Sequence, residues 1–381
     1  MIAGWFNRNR TPIGLDISSS HVRMIQLERQ GAHWAVAAAA SARLPDDIPS
    51  HGPARVETLT QIIQDMLAHN DFKGRRVVSA LPAASVQCKN LRLPRMPREE
   101  LTAAVEWEAT DRLHLSVDSM RLQFIDAGEI RQGEELRHEI ILLAASNQDI
   151  QEHLDVLCAC ELTPLAIDST PTALARCVSG GNDLPVDAPV RVVLDIGQTN
   201  AKITIIRQGR IVFFKLIDIG ANAFDHAVAQ QLKLPRSEAA QLRRDCLKQT
   251  ERDASEVPGD SALFGASKRE SVSRAVYESL RGPVGDLARE VGLCLRYYSV
   301  TFRSKRPESM IITGSEAGQA HIPQLLADGA GLAVQTCETL DHLDWSAIQN
   351  ISHADMHVGA WAMAVGLAMR SDSLLSIKGA A

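Results

Sequence analysis

Two distant segments of this chain repeat one pattern of chemistry-bearing residues. The first reads Gly14-Leu-Asp-Ile-Ser-Ser-Ser-His-Val-Arg-Met-Ile-Gln-Leu-Glu-Arg-Gln-Gly31, and the second Val193-Leu-Asp-Ile-Gly-Gln-Thr-Asn-Ala-Lys-Ile-Thr-Ile-Ile-Arg-Gln-Gly209. Asp16 aligns with Asp195, and Ser18, Ser19 and Ser20 align with Gly197, Gln198 and Thr199. Asn200 closes the second turn, and Arg23 aligns with Lys202. A turn of Gly, Ser and Thr gathers backbone N–H groups and hydroxyls into a small space that receives phosphate oxygens. An Asp cannot ligate phosphate, but it can hold Mg²⁺ through that ion's water shell. A basic residue down the hairpin offsets the remaining negative charge. One such turn also occurs where two strands merely join. Its repetition, with both Asp residues kept, points to a clamp that grips a polyphosphate from two sides. A third element, Met310-Ile-Ile-Thr-Gly-Ser-Glu-Ala-Gly318, is an apolar run entering a small-residue turn. Around Gly314, Ser315 and Glu316 a backbone poor in Cβ atoms lets a flat base or a ribose approach closely.

These residues need strands to hold them. In each copy an apolar strand ends at the Asp, a polar turn follows, and a second strand spans Val22 to Glu28 or Ala201 to Arg207. A third strand follows a Gly, over His33 to Ala40 or Arg210 to Leu216. Runs such as Val190-Arg-Val-Val-Leu and Ile203-Thr-Ile-Ile are β-branched, and Gly31 and Gly209 suit the turns. Between the copies, Val86 to Leu93 reads as a strand and Pro97 to Asp111 as a helix, with Glu99 and Glu100 at its positive end. Met120 to Ala127 and Glu139 to Ala145 read as strands around a polar tip, Glu129 to Arg137. Asn147 is the expected cap of a helix reaching Cys160. The stretch 233–281 is charged and interrupted by Val257-Pro-Gly-Asp, which predicts an exposed loop near 250–266. Arg281 to Val300 places Val284, Leu287, Val291, Leu295 and Tyr298 at helical spacing, as core. A helix is expected from Ile322 to Asp328.

Composition narrows the function classes. The chain has 381 residues, 45% of them hydrophobic, enough for packed cores. A net charge of −6 and an aromatic content of 4% argue against a nucleic-acid coat. The longest apolar candidate, Gly359 to Met369, is too short to cross a membrane. The start, MIAGWFNRNR, lacks a signal-peptide core, so a cytoplasmic location is expected. The 7 cysteines include no CxxC pair and the histidines no HExxH, so neither a disulfide framework nor a zinc site is expected.

Two Asp-turn hairpins and a late Ile-Thr-Gly turn resemble the actin, Hsp70 and sugar-kinase superfamily. The residues between narrow the resemblance. Ala80-Leu-Pro-Ala-Ala-Ser-Val, Leu91-Arg-Leu-Pro-Arg-Met-Pro-Arg-Glu-Glu-Leu101 and Val105-Glu-Trp-Glu-Ala109 resemble the PilM family of type IV pilus assembly. Leu162-Thr-Pro-Leu-Ala-Ile-Asp168, Ile219-Gly-Ala-Asn222, Tyr297-Tyr-Ser and Ala362-Met-Ala-Val-Gly-Leu-Ala-Met-Arg370 fit the same pattern. The resemblance implies an α/β, actin-like ATPase fold: two RNase-H-like lobes around a nucleotide cleft, with a 1C subdomain of the FtsA and PilM type. It implies a first lobe over 1–83 and 163–189, a 1C insert over 84–162, a second lobe over 190–230 and 301–381, and a small subdomain over 231–300.

It further implies ATP and Mg²⁺ as ligands, with Asp16 and Asp195 on the metal through water. The other residues named above, Ser18 to Ser20, Arg23, Gly197 to Asn200, Lys202 and Gly314 to Glu316, would line the nucleotide. The implied partner is the N-terminal peptide of the inner-membrane protein PilN, docked on the first lobe and 1C near Arg92, Arg95 and Arg98. Pilus motor ATPase components and self-association complete the expected partners, with no nucleic acid. The location is then the inner face of the inner membrane, and the activity at most a slow ATPase. Alternatives on the same fold are a small-molecule kinase, with Asp168 or Asp218 as base, and an FtsA-like division protein. For the latter, Ser371 to Ala381 lacks the basic amphipathic pattern of a membrane anchor. Met1 to Phe6 reads as a frayed terminus. Three places depart from the family pattern. Ser18 stands where Gly is usual, Leu113-His-Leu replaces an aromatic-proline run, and Glu316 brings a carboxylate toward the phosphates.

Overall fold

The computed structural model describes residues 10–31, 33–113, 117–182, 185, 187–253, 263–319, 321–346, 348 and 357–370. Met1 to Phe6, His114 and Leu115, Val257-Pro-Gly-Asp and Ser371 to Ala381 lie outside these residues. The described residues cluster into two compact units. One comprises those within 1–190, 204–215 and 337–381, and the other those within 191–203 and 216–336.

The chain order begins β1 (Ile13–Ile17), β2 (His21–Gln30), β3 (His33–Arg43), α1 (Pro53–His69), β4 (Arg76–Ala80), β5 (Val86–Pro94) and α2 (Arg98–Leu113). It continues β6 (Met120–Gln132), β7 (Glu135–Ser146), α3 (Asn147–Ala159), β8 (Thr163–Asp168) and α4 (Thr170–Val178). Then come β9 (Arg191–Ile196), β10 (Ala201–Arg207), β11 (Arg210–Ile217), α5 (Ala221–Leu232), α6 (Arg236–Asp253) and α7 (Leu263–Thr301). The last elements are β12 (Ser309–Thr313), α8 (Ile322–Ala330), β13 (Ala333–Gln335), α9 (Glu338–Asp341) and α10 (Ala362–Ala368).

The repeat in the sequence is a repeat in topology. One five-stranded sheet has the order β3-β2-β1-β4-β8 and another β11-β10-β9-β12-β13. In the first, β1 runs antiparallel to β2 and parallel to β4. In the second, β9 and β13 both run parallel to β12. Strands covered on both faces need apolar residues throughout, and β1 buries every residue but Asp16 while β9 buries every residue but Arg191. The helix α1 sets Leu59, Ile63 and Met66 into the core beneath β1 to β3. The helix α10 is buried at every residue. Its approach is close: a Cβ at Gly366 would stand 1.9 Å from the Ala173 carbonyl, and one at Gly14 2.1 Å from that of Ala364. Only glycine admits such backbone contact.

The third sheet, β5-β7-β6, carries α2. Leu101, Val105 and Ala109 recur on one helix face and pack on Leu91, Leu93, Ile140 and Leu142. The expected polar tip is instead strand. β6 reaches Gln132, β7 starts at Glu135, and the pair Gln132–Glu135 flanks a turn with Gly133 at φ +65°. Cross-strand backbone bonds hold this hairpin where apolar residues run out. The helix α3 is capped by Ser146, whose Oγ accepts from the Asp149 N–H at 2.9 Å. Asn147 is already helical and donates to the Asp118 carbonyl instead. The helix α7 begins at Leu263, well before Arg281, and continues through Pro283, so most of the charged stretch 233–281 is helical.

A buried pair inside the first unit predicts a pH response. The His153 Nε2 lies 2.8 Å from the Ser79 Oγ. Burial, with Arg55 as a lesser contributor, pushes the imidazole down to about 4. The unfolded chain takes up this proton near pH 6.5, the folded chain only near 4. Stability therefore falls as pH drops across that window, by roughly 3 kcal/mol in full. Urea unfolding across this pH range checks it: His153→Gln should flatten the decline, and an unchanged slope rules out this origin.

Candidate functional site

The second copy of the repeated turn is the more elaborate. Asp195 is the penultimate residue of β9 and is only 4% exposed. Two elements reach its carboxylate. Lys202, across the turn on β10, places its Nζ 2.8 Å from Oδ2. Thr313, the register partner of Asp195 on parallel β12, donates its hydroxyl to Oδ1 at 3.0 Å. Each oxygen keeps a further lone pair, so the group can still accept a hydrogen from a metal-bound water. The turn closes through the Gly197 N–H to the Asn200 carbonyl at 3.0 Å. It rests on the start of α5, where the Ala221 and Asn222 N–H groups donate to the Gly197 and Gln198 carbonyls. The Gln198 amide also donates to the Asn222 Oδ1 at 2.7 Å. Thr199 is exposed at the apex.

The third element meets this turn. Gly314 follows Thr313 with φ +92°, and a Cβ there would stand 2.3 Å from the Ile196 carbonyl. Ser315 is half-buried beside it. Glu316 is 5% exposed, and its carboxylate is held by Arg243 of α6, which also donates to the Asp225 Oδ1 at 2.9 Å. Burial alone would lower the Arg243 pKa, but Glu316 and Asp225 outweigh it and raise it above the ordinary value. The carboxylate expected to repel phosphate is thus matched inside the unit. Arg243, Asp225 and Thr313 were not foreseen from sequence. Thr313 had a signal, as the polar end of the apolar run Met310-Ile-Ile-Thr. Arg243 had none, since it lies within a run of surface-type residues.

The first copy differs in kind. Asp16 is half-buried on β1, with Arg23 and Ala80 as its register partners. Alanine stands where the second copy has Thr313. The Ser18 hydroxyl donates to the His21 carbonyl and accepts from the Ser20 and His21 N–H groups. Ser19 is exposed, and the Ser20 Oγ lies 2.9 Å from His21 Nδ1. No residue from Ser18 to Ser20 has positive φ, and neither does Gly197. The Gly-to-Ser departure therefore carries no backbone strain. What Gly197 supplies is room, since a Cβ there would sit 3.3 Å from the Lys202 Nζ.

Other candidates are otherwise engaged. Asp168 is 5% exposed at the side chain and binds Arg176, Arg370 at 3.0 Å, the Thr172 hydroxyl at 2.6 Å and the Ser169 N–H at 2.8 Å. A carboxylate so satisfied is a helix-start brace for α4, not a base aimed at a substrate. Asp218 is exposed. Arg92 pairs with Glu139 at 3.0 Å and Arg95 with Glu129 at 3.0 Å, so both serve the three-stranded sheet. The Arg98 side chain lies outside the described residues. Among the described residues no three His, Cys, Asp or Glu side chains cluster to hold a metal, and no helix is long and apolar enough to cross a membrane.

Twin sheets of one topology, each ending its central strand at an Asp turn, define an actin-like fold of two RNase-H-like lobes. Solved structures agree. A PilM–PilN type IV pilus biogenesis complex matches with TM-score 0.72 at 21% identity, covering 94% of this chain and 98% of that one. EutJ, an ethanolamine utilization protein of Carboxydothermus hydrogenoformans, matches with TM-score 0.55 at 13% identity, covering 94% and 89%. MreB5 of Spiroplasma citri, bound to AMPPNP, matches with TM-score 0.50 at 10% identity, covering 97% and 98%. The sequence profile of type IV pilus assembly protein PilM matches residues 14–251. The chain belongs to the PilM family.

Proposed function

We propose that this protein is an ATP-binding scaffold of type IV pilus biogenesis that docks the N-terminal peptide of PilN. The observation that carries the nucleotide half is the buried Asp195, braced by Lys202 and Thr313 beside the glycine-only turn at Gly314. Lys202 and the N–H groups of 198–200 are suited to phosphate, and Asp195 to a water of Mg²⁺. Gly314 and Ser315 are suited to the nucleoside. Asp16, Arg23 and Ser18 to Ser20 are further phosphate and metal candidates in this reading. The bound metal would supply charge neutralisation for the phosphates. Glu316 stays with Arg243 and serves the site by fixing that turn. With no identified general base, hydrolysis is slow or absent.

The peptide half rests on family membership and on the inserted sheet β5-β7-β6 with α2, which corresponds to the proposed 1C subdomain over 84–162. The first lobe and this insert form the docking side, and PilN links the protein to the inner face of the inner membrane. The nucleotide then biases the docking surface.

Titration tests both halves. ATP with Mg²⁺ at a hundredfold excess over its Kd should add about 2.7 kcal/mol to unfolding stability. Asp195→Asn, which keeps the shape, should weaken ATP binding and remove its dependence on Mg²⁺. Unchanged affinity with unchanged Mg²⁺ dependence would discard the assignment. A PilN N-terminal peptide should bind the wild type, more tightly with ATP present. Failure to bind in either state would defeat the scaffold reading.

A further inference from the structure

Two thiols meet inside the first unit. Cys177 stands in the last turn of α4 and is fully buried, and Cys337, the residue before α9, is 3% exposed. The two helices pack on one another. Within this contact the Cys177 thiol donates a hydrogen bond to the Cys337 sulfur. The loop after α4 keeps the place fixed. Gly180 lies so near α9 that a Cβ on it would stand 3.6 Å from the Thr339 hydroxyl, and its carbonyl accepts from the Trp34 indole at 3.2 Å. Beyond α9 the Asp344 carbonyl accepts from the Val36 N–H of β3 at 2.8 Å. Sulfurs in hydrogen-bond contact, on elements anchored on both sides, need little backbone movement to reach bonding distance.

The pair differs from the other thiols in its chemistry. The hydrogen bond from Cys177 favours the thiolate of Cys337 and, with the Leu340 and Thr339 N–H groups, outweighs burial, so this thiol lies below its ordinary pKa. Burial does the opposite to Cys88 and Cys160, pushed up to about 12 and about 11. The thiolate is the nucleophile of sulfur chemistry, which makes Cys337 the reacting thiol and Cys177 its resolving partner. Exposure alone would direct oxidation to Cys158 instead. Position in the chain adds a consequence. Every residue of the second unit lies between these two cysteines in sequence, and Cys337 is the first residue of the first unit's last segment. A bond between them closes a loop of about 160 residues, and the entropy it removes from the unfolded chain grows with that length.

We propose that Cys177 and Cys337 form a redox-active dithiol that hydrogen peroxide oxidises to a disulfide. The Cys337 thiolate attacks one peroxide oxygen. An S–O bond forms as the O–O bond breaks, and the departing hydroxide takes up the thiol proton and leaves as water. Cys177 then gives up its proton and attacks the Cys337 sulfenic sulfur. The S–S bond forms, the S–O bond breaks, and the hydroxide leaves with that proton as a second water. The two thiols lose two electrons and the peroxide gains them. A thiol reductant reverses the change by exchange, so in a reducing compartment the bond is transient. The dithiol is independent of the nucleotide and peptide readings. Peptide mapping of the full chain tests it, after limiting hydrogen peroxide, alkylation of the remaining thiols and digestion. A reducible cross-link should join the Cys177 and Cys337 peptides within one chain, with Cys158 still alkylated. The urea midpoint of the oxidised protein should rise and return with dithiothreitol. Cys177→Ala should leave Cys337 as a sulfenic acid that dimedone traps. Cys337→Ala should slow oxidation of Cys177 at least about tenfold. In the wild type, cross-links confined to Cys158 between chains would overturn the proposal. So would Cys337 passing to the sulfinic acid while Cys177 stays a thiol, or both remaining thiols while Cys158 oxidises.

Discussion

Arg243→Ala should destabilise the second unit more than any single truncation of an apolar core residue there. The guanidinium is 2% exposed at its side chain and holds Asp225 and Glu316, themselves 4% and 6% exposed at theirs. Removing it leaves two carboxylates facing each other without a cation or ready water. Breaking a buried ion pair from one side costs about 3–5 kcal/mol, and here two partners are stranded at once. The guanidinium also lies 5.8 Å from the Phe224 ring centre, a packing contact that alanine forfeits. The control is the triple variant Arg243→Met, Asp225→Asn, Glu316→Gln. It removes all three charges at similar volume and should recover much of the loss. Urea unfolding of the three proteins decides the matter. A single variant within about 1 kcal/mol of wild type would show that the cluster tolerates uncompensated charge, against the expected penalty.

Gly314→Ala is expected to injure stability and nucleotide binding together. The residue sits at φ +92°, where an L side chain is strained, and its Cβ would lie 2.3 Å from the Ile196 carbonyl and 2.7 Å from the Ile196 nitrogen. Backbone cannot yield as a flexible side chain does, so β9 and β12 must separate. That separation draws Thr313 away from Asp195. Strain and overpacking together should cost roughly 3 kcal/mol or more. ATP affinity should fall by at least about tenfold in the fraction that stays folded, equal to ~1.4 kcal/mol. Chemical denaturation gives the first quantity and calorimetric titration the second. Normal stability with normal ATP binding would mean that the turn is free to move and does not position the site.

Much of this was open to reading along the chain. The repeat of Asp, polar turn and basic residue recovered both hairpins and the strands around them, because period-two patterns and β-branched runs are local properties. The insert motif from Leu91 to Leu101 led to the family, and the helix after it followed from its apolar spacing. The misreadings were also local. Glu129 to Arg137 looked like a loop because polar residues dominate it, yet cross-strand backbone pairing carries the hairpin almost to its turn. Glu316 looked like an intruder at a phosphate site because its cation, Arg243, lies on a helix far away in sequence. Ser18 departs from the usual Gly without consequence for the backbone, since the turn has no positive φ there.

The sequence by itself determined that two related hairpins exist, that each ends a buried strand at an acid, and that a basic residue lies across each turn. Spacing along a strand is enough for that, since neighbours in sequence are neighbours in space. Only the tertiary structure decided how each acid is used. Thr313 and Lys202 engage Asp195 because β12 runs parallel to β9 in register, whereas the strand beside β1 brings Ala80 to Asp16. Register between distant strands, and the meeting of Arg243 with Asp225 and Glu316, depend on how helices and sheets pack. Packing is a cooperative result that no local pattern records.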